Sequence, residues 1–174
     1  MRQLAEAARI REFMRRLGAS ARQDSRVYFT GGVSAVLIGW RPTTIDIDLS
    51  IVPDRDDLLR AIPELKESLN INVELAAPSH FLPELPGWQE RSPFIGREGL
   101  VSFHHYDFYS QALAKIERAH VQDMSDVQAM LAAGLVESDR LREMYERIEP
   151  ELYRYPAVNP RTLSEALEAA LARR

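Results

Sequence analysis

The spacing of apolar residues switches repeatedly between a helical and a strand period, and the switches mark the elements. In MRQLAEAARIREFMRRLG, residues 1–18, Leu4, Ala7, Ala8, Phe13, Met14 and Leu17 recur at helical spacing, with Gly18 placed to end the helix. RVYFT then reads as a short strand, rich in β-branched and aromatic residues. Gly31 and Gly32 turn the chain into VSAVLIG, a short apolar helix closed by Gly39. WRPTT reads as a loop, because Pro42 biases its predecessor away from helix. IDIDLSI alternates strictly and predicts a strand; DRDDLLRAIPELKESLN predicts a helix bent or interrupted at Pro63. In the next strand, INVELA, Ile71, Val73 and Leu75 share one face, and Asn72 and Glu74 the other.

Residues 78–99 hold several prolines and isolated glycines and read as an irregular excursion, followed by a strand in LVSFHHYDF. From Ser110 the period is helical, in SQALAKIERAHVQDMSDVQAMLAAG, ESDRLREMYERI and TLSEALEAALARR, with EPELYRYPAVNP between the last two. The order predicts an α+β fold: a small mixed sheet flanked by helices in residues 1–110, then a helical part in residues 111–174 packed on it.

Composition narrows the chemistry. With 174 residues and 45% apolar content the chain can bury a substantial core. Its net charge of −4 gives no global basic footprint for nucleic acid, although a local basic groove stays open. The lack of cysteine excludes disulfides, thiolate metal sites and a cysteine nucleophile, and is compatible with the cytoplasm. No apolar run approaches the roughly 18 residues of a membrane span, and the charged N-terminal segment is unlike a signal peptide.

Two features then demand a reason. A Gly-Gly turn between strand and helix lets backbone approach a ligand closely, and the free amides of the following helix attract phosphate; Ser34 in its first turn adds a hydroxyl or simply caps the helix. Asp46 and Asp48 alternate with Ile45, Ile47 and Leu49, so both carboxylates leave one side of the strand, roughly 6 to 7 Å apart. Aspartate is a poor strand former, and two facing one way suit a hard divalent cation that takes carboxylates, water and phosphate oxygens. Glu74 repeats the apolar–acidic–apolar pattern and joins them if its strand is the neighbour; otherwise it is an exposed strand residue.

Arg41 either pairs with a phosphate or anchors its loop. His80, His104, His105 and His120 have no metal-ligand spacing, and His104 and His105 point to opposite faces of one strand. No nucleophile elbow or P-loop is present.

The order Gly-Gly, apolar helix, Arg, Thr, Asp-hydrophobic-Asp in GGVSAVLIGWRPTTIDIDL resembles the nucleotidyltransferase superfamily typified by DNA polymerase β. More narrowly it resembles the bacterial branch that includes abortive-infection-type toxin nucleotidyltransferases. The likeness runs from about Val27 to about Leu131 and includes Lys115, Asp123 and Asp126 in LAKIERAHVQDMSDV. It implies a nucleoside triphosphate bound at Gly31 and Gly32, magnesium or manganese held by Asp46 and Asp48 with Glu74 as third acid, and a triphosphate contact from Lys115. Many members have Gly-Ser where this chain has Gly-Gly, and Ser34 would then supply the hydroxyl.

The helical segment also has plainer readings. Lys115 and Arg118 fit an exposed helix face, and Asp123 with Asp126 resembles a capping box. If the helix ran unbroken, Lys115 and Asp126 would fall nearly on one face. The expected activity is transfer of a nucleoside monophosphate from the triphosphate to a hydroxyl of RNA, protein or a small molecule, in a toxin–antitoxin setting or outside one. The alternative is a nucleotide- or partner-binding module without turnover; in the toxin–antitoxin setting Tyr145, Tyr153 and Tyr155 and the C-terminal helices offer a partner surface, a reading that ranks behind their being packing and loop residues.

Overall fold

The computed structural model describes residues 3–173, so residues 1, 2 and 174, which the sequence pattern includes in its first and last helical segments, lie outside the described residues. The chain divides into two compact units. The first holds the residues up to Ala77 together with Ser92–Tyr106; the second holds Pro78–Arg91 and the residues from Asp107 onward.

The first unit is the mixed sheet. Its elements are α1 (Ala7–Ser20), β1 (Ser25–Thr30), α2 (Gly31–Ile38), β2 (Asp46–Val52), α3 (Asp56–Ser68), β3 (Asn72–Leu75), β4 (Phe94–Glu98) and β5 (Val101–His105). The strand order is β3-β2-β1-β5-β4. β1 runs antiparallel to β2 and parallel to β5; β2 and β3 are parallel, and β4 closes the far edge antiparallel to β5.

Alternation decides which face is which. Ile47, Leu49 and Ile51 of β2 are buried, while Asp46, Asp48 and Ser50 between them stay partly exposed. The buried set joins Val27 and Phe29 of β1, Phe103 of β5, Phe13 and Leu17 of α1, and Leu58 and Leu65 of α3. Phe29 stacks on Phe103 with ring centroids 5.6 Å apart. Each such side chain contributes about 1.5–3 kcal/mol when fully buried, so a one-residue slip of β2, which would bury its aspartates, is strongly disfavoured.

Several expectations change. α1 does not stop at Gly18 but runs on to Ser20; Gly18 is a packing residue, whose added Cβ would stand 2.6 Å from Glu98 Cβ. α3 passes through Pro63 as one helix, its inward residues Leu58, Ile62 and Leu65 outweighing the roughly 3 kcal/mol cost of an interior proline. β4 was hidden in the presumed excursion because FIGRE is an edge strand with no burial alternation and a register shift between Phe94 and Gly96.

The second unit is helical: α4 (Phe108–Arg118), α5 (Val121–Ala132), α6 (Ser138–Ile148) and α7 (Pro160–Ala172), with short 3-10 turns at Pro78–His80 and Glu149–Arg154. The long helical run after Ser110 is thus two helices, broken where Ala119 takes a left-handed conformation at φ 56°. Asp107 caps α4 by accepting from Tyr109 N and Ser110 N, and its carboxylate also receives Arg91 Nε and Nη2 at 3.1 and 2.9 Å. That buried, forked pair ties the Pro78–Arg91 segment into the helical unit. Tyr145 and Tyr155 are packing residues, donating to Pro160 O and Ser79 O, whereas Tyr153 is exposed. Among the described residues no helix is long and apolar enough to cross a membrane.

Candidate active site

β1 delivers the chain to Thr30, and α2 begins at once on Gly31 and Gly32. Gly31 has φ +61°, a left-handed backbone that favours glycine, and a Cβ there would stand 2.7 Å from Asp48 Oδ2. The Asp48 carboxylate therefore lies directly over the Gly-Gly turn. Gly32 is equally confined: a Cβ would collide with Thr44 Oγ1 and come within 3.4 Å of Arg41 Nη1. Thr44 is fixed by mutual backbone hydrogen bonds with Ala5 and by donating its hydroxyl to Asp46 O at 3.0 Å. These contacts bring Arg41, Gly31, Gly32 and Asp48 into one place.

The neighbouring strand completes the cluster. In the β2–β3 register Asp46 faces Asn72 and Asp48 faces Glu74. The three acids expected to share a face are thus adjacent on two strands, with Asn72 as the fourth corner of the block. Asn72 Nδ2 donates to Asp46 Oδ1 at 2.6 Å and to Glu74 Oε1 at 3.1 Å. Asn72 was missing from the expected site, although its place two residues before Glu74 puts it on the same face. Among the described residues no three acidic or histidine side chains form a ready-made metal cage.

The donor set nevertheless fits a hard divalent cation. It consists of carboxylate oxygens beside a glycine cradle, with the Asn72 amide donating to two of the acids. Two aspartates with phosphate oxygens and water satisfy such an ion without a third protein ligand in place.

Ser34 takes a different role from the expected one. It is fully buried, its Oγ donates to Phe29 O at 3.4 Å, and it lies 2.9 Å from His105 Nδ1. Burial, aided by the nearby His104, lowers the His105 pKa from its usual 6.5 to about 4, so this imidazole is neutral. The pair braces the first turn of α2 from behind. His104, on the opposite face, stacks on Tyr28 at 5.3 Å.

Lys115, Asp123 and Asp126 come together in the helical unit. The Lys115 ammonium, 5% exposed, donates to Asp126 at 2.7 Å and to Asp123 at 3.3 Å. Arg118 adds two bonds to Asp123, at 2.7 and 2.6 Å. Burial acts to raise the Asp123 pKa, but the hydrogen bond from Arg118 and the charges of Lys115 and Arg118 outweigh it and lower it. The exposed-face reading holds for Arg118 but not for Lys115, and the capping-box reading does not hold. His120, not Asp123, is the N-cap of α5, and Lys115 is an interior ion-pair partner.

A family model described as "Nucleotidyltransferase of unknown function (DUF6036)" matches residues 6–163. Neither the curated proteins nor the solved structures contain a match to the chain.

Proposed function

The chain belongs to that nucleotidyltransferase family, and from this premise we propose that it transfers a nucleoside monophosphate from a nucleoside triphosphate to an acceptor hydroxyl, with Asp46 and Asp48 as ligands of magnesium or manganese. The observation that carries the reading is the Asp48 carboxylate seated over Gly31, with Asp46 beside it on β2 and Glu74 across from it on β3. The same arrangement supports membership of the polymerase-β-like superfamily.

Each residue then has a task. The amides at the start of α2 and the Arg41 guanidinium receive the triphosphate, with Gly31 and Gly32 letting its oxygens approach the backbone. Asp46 and Asp48 would hold a divalent ion, which would supply Lewis-acid stabilisation of the phosphoryl oxygens. The acceptor oxygen forms its bond to the α-phosphorus as the bond to the β-phosphate oxygen breaks, so pyrophosphate leaves and the hydroxyl proton passes to water; Glu74, the most exposed of the three acids, would be the third ligand of the ion. Lys115 is left out of this account, because Asp126 and Asp123 already occupy its ammonium.

The test is incubation of the pure protein with each α-labelled nucleoside triphosphate, magnesium, and total RNA or cell lysate. Label should pass to an acceptor, and Asp46→Ala with Asp48→Ala should reduce transfer by on the order of a hundredfold or more, beyond the usual effect of losing a mere outer contact of a metal site. The absence of a preformed three-acid cage favours a second reading, a nucleotide-binding module without turnover. It prevails if the intact protein binds a triphosphate but labels nothing.

A further inference from the structure

Asp46, Asp48, Asn72 and Glu74 form a square of four side chains on two paired strands, three of them acids. Strand neighbours stand about 4.8 Å apart, close enough that the carboxylates repel unless something lies between them. What lies between Asp46 and Glu74 is one nitrogen: both N–H bonds of the Asn72 amide are spent there, at 2.6 and 3.1 Å. An amide N–H carries only a partial positive charge, and here it is spent on two carboxylates. The lone pairs it occupies are lone pairs an ion would need.

We infer that Asn72 is a built-in competitor of the divalent cation: it holds Asp46 and Glu74 in a cation-free arrangement and must release them before the third acid can join the site. This deepens the proposed nucleotidyltransferase reading and rests on it. Asn72 is a positioning residue, acting through Asp46 and Glu74. The consequence is a site of low affinity for the free ion, completed when a triphosphate brings its own phosphate oxygens. That explains why the chain pairs a suitable donor set with no preformed cage.

The probe is manganese alone, titrated calorimetrically into the full-length protein without nucleotide. Asn72→Ala removes the competing donor and should bind manganese roughly tenfold more tightly than the unchanged protein, the scale of a lost hydrogen bond to a charged group. Asn72→Lys places a permanent ammonium at the same corner and should abolish manganese binding while the protein stays folded. The manganese-induced rise in melting temperature should follow the same order, which separates ion binding from any direct effect on folding. Equal or weaker binding by Asn72→Ala, with the unchanged protein binding manganese, overturns the competitor role and leaves the nucleotidyltransferase reading standing. No binding by any variant, even with a nucleoside triphosphate present, overturns both.

Discussion

Asp46 and Glu74 are met by a single neutral amide on a partly exposed sheet face, whereas Asp123 and Asp126 are enclosed with a lysine and an arginine. Both clusters contain aspartates spaced along one element, and both lie in segments that resemble the same family. Their electrostatics differ. In the helical unit each buried carboxylate faces a cation supplied by the fold, so the network is complete as it stands. On the sheet, acids are set beside acids, and what stands between Asp46 and Glu74 is the dipole of the Asn72 amide. Charges that a protein matches internally serve its own structure; the acids met by a neutral amide are the ones to which the proposed function assigns a cation.

The largest effect should come from breaking the closed network. Asp126→Ala strips the nearer carboxylate from a buried ammonium and should cost about 3–5 kcal/mol of unfolding free energy, as should Lys115→Met, which leaves Asp126 without its ammonium partner. Made together the two changes should cost much less than their sum, because a buried ion pair is often replaceable by apolar groups. Urea denaturation of the four proteins measures this coupling. Additive losses would show that the pair is not a unit and would reopen Lys115 as a ligand for substrate.

His105 provides a smaller effect on the sheet unit itself, on the core side of β5. Above pH 6.5 the imidazole is neutral in folded and unfolded chains alike, and nothing depends on it. Between pH 6.5 and about 4 the unfolded chain takes up a proton that the buried ring refuses, so stability falls as acid is added. At pH 5 the loss relative to pH 7.5 should be about 2 kcal/mol from this residue. His105→Gln, which keeps a polar group for Ser34, should lose that part of the acid sensitivity, read as the difference between the two proteins' denaturation midpoints at each pH. An unchanged profile would mean that the ring reaches water and does not brace α2.

These contrasts explain what was legible in the sequence. The strict alternation of IDIDLSI fixes both which residues of β2 are inward and that two carboxylates face the other way, and this survives intact. The adjacency of β2 and β3 stays open in the sequence, because a helical crossover does not by itself fix strand order; it is the β2–β3 register that sets Glu74 across from Asp48. The Ser34–His105 contact is hidden because a first-turn serine looks the same whether it faces a ligand or a core histidine 71 residues away. The Lys115 ion pairs are hidden because helical spacing across residues 110–134 conceals the left-handed Ala119, the break after which α5 brings two aspartates onto the ammonium. Long-range pairings of this kind have no local signature. Asn72 went unnoticed for a simpler reason: a neutral amide in a strand carries no message until its neighbours are known.

The smallest predicted effect is the sharpest on the comparison, because its sign is what matters. Glu74→Gln removes one of two like charges set directly opposite each other on paired strands, and retains an oxygen that can accept from Asn72. Opposed like charges destabilise a sheet by a few tenths of a kcal/mol, so the variant should be slightly more stable than the unchanged protein, by under about 0.5 kcal/mol. The gain should shrink in high salt, which screens exposed charges beyond about 10 Å at 0.1 M and more tightly above it. Manganese should then stabilise the variant less than it stabilises the unchanged protein, reversing the order of the two melting temperatures. An acid that costs stability when alone and repays it only with a cation present is held for that cation, and a Glu74→Gln protein less stable at low salt without manganese would instead make Glu74 a structural partner of Asn72.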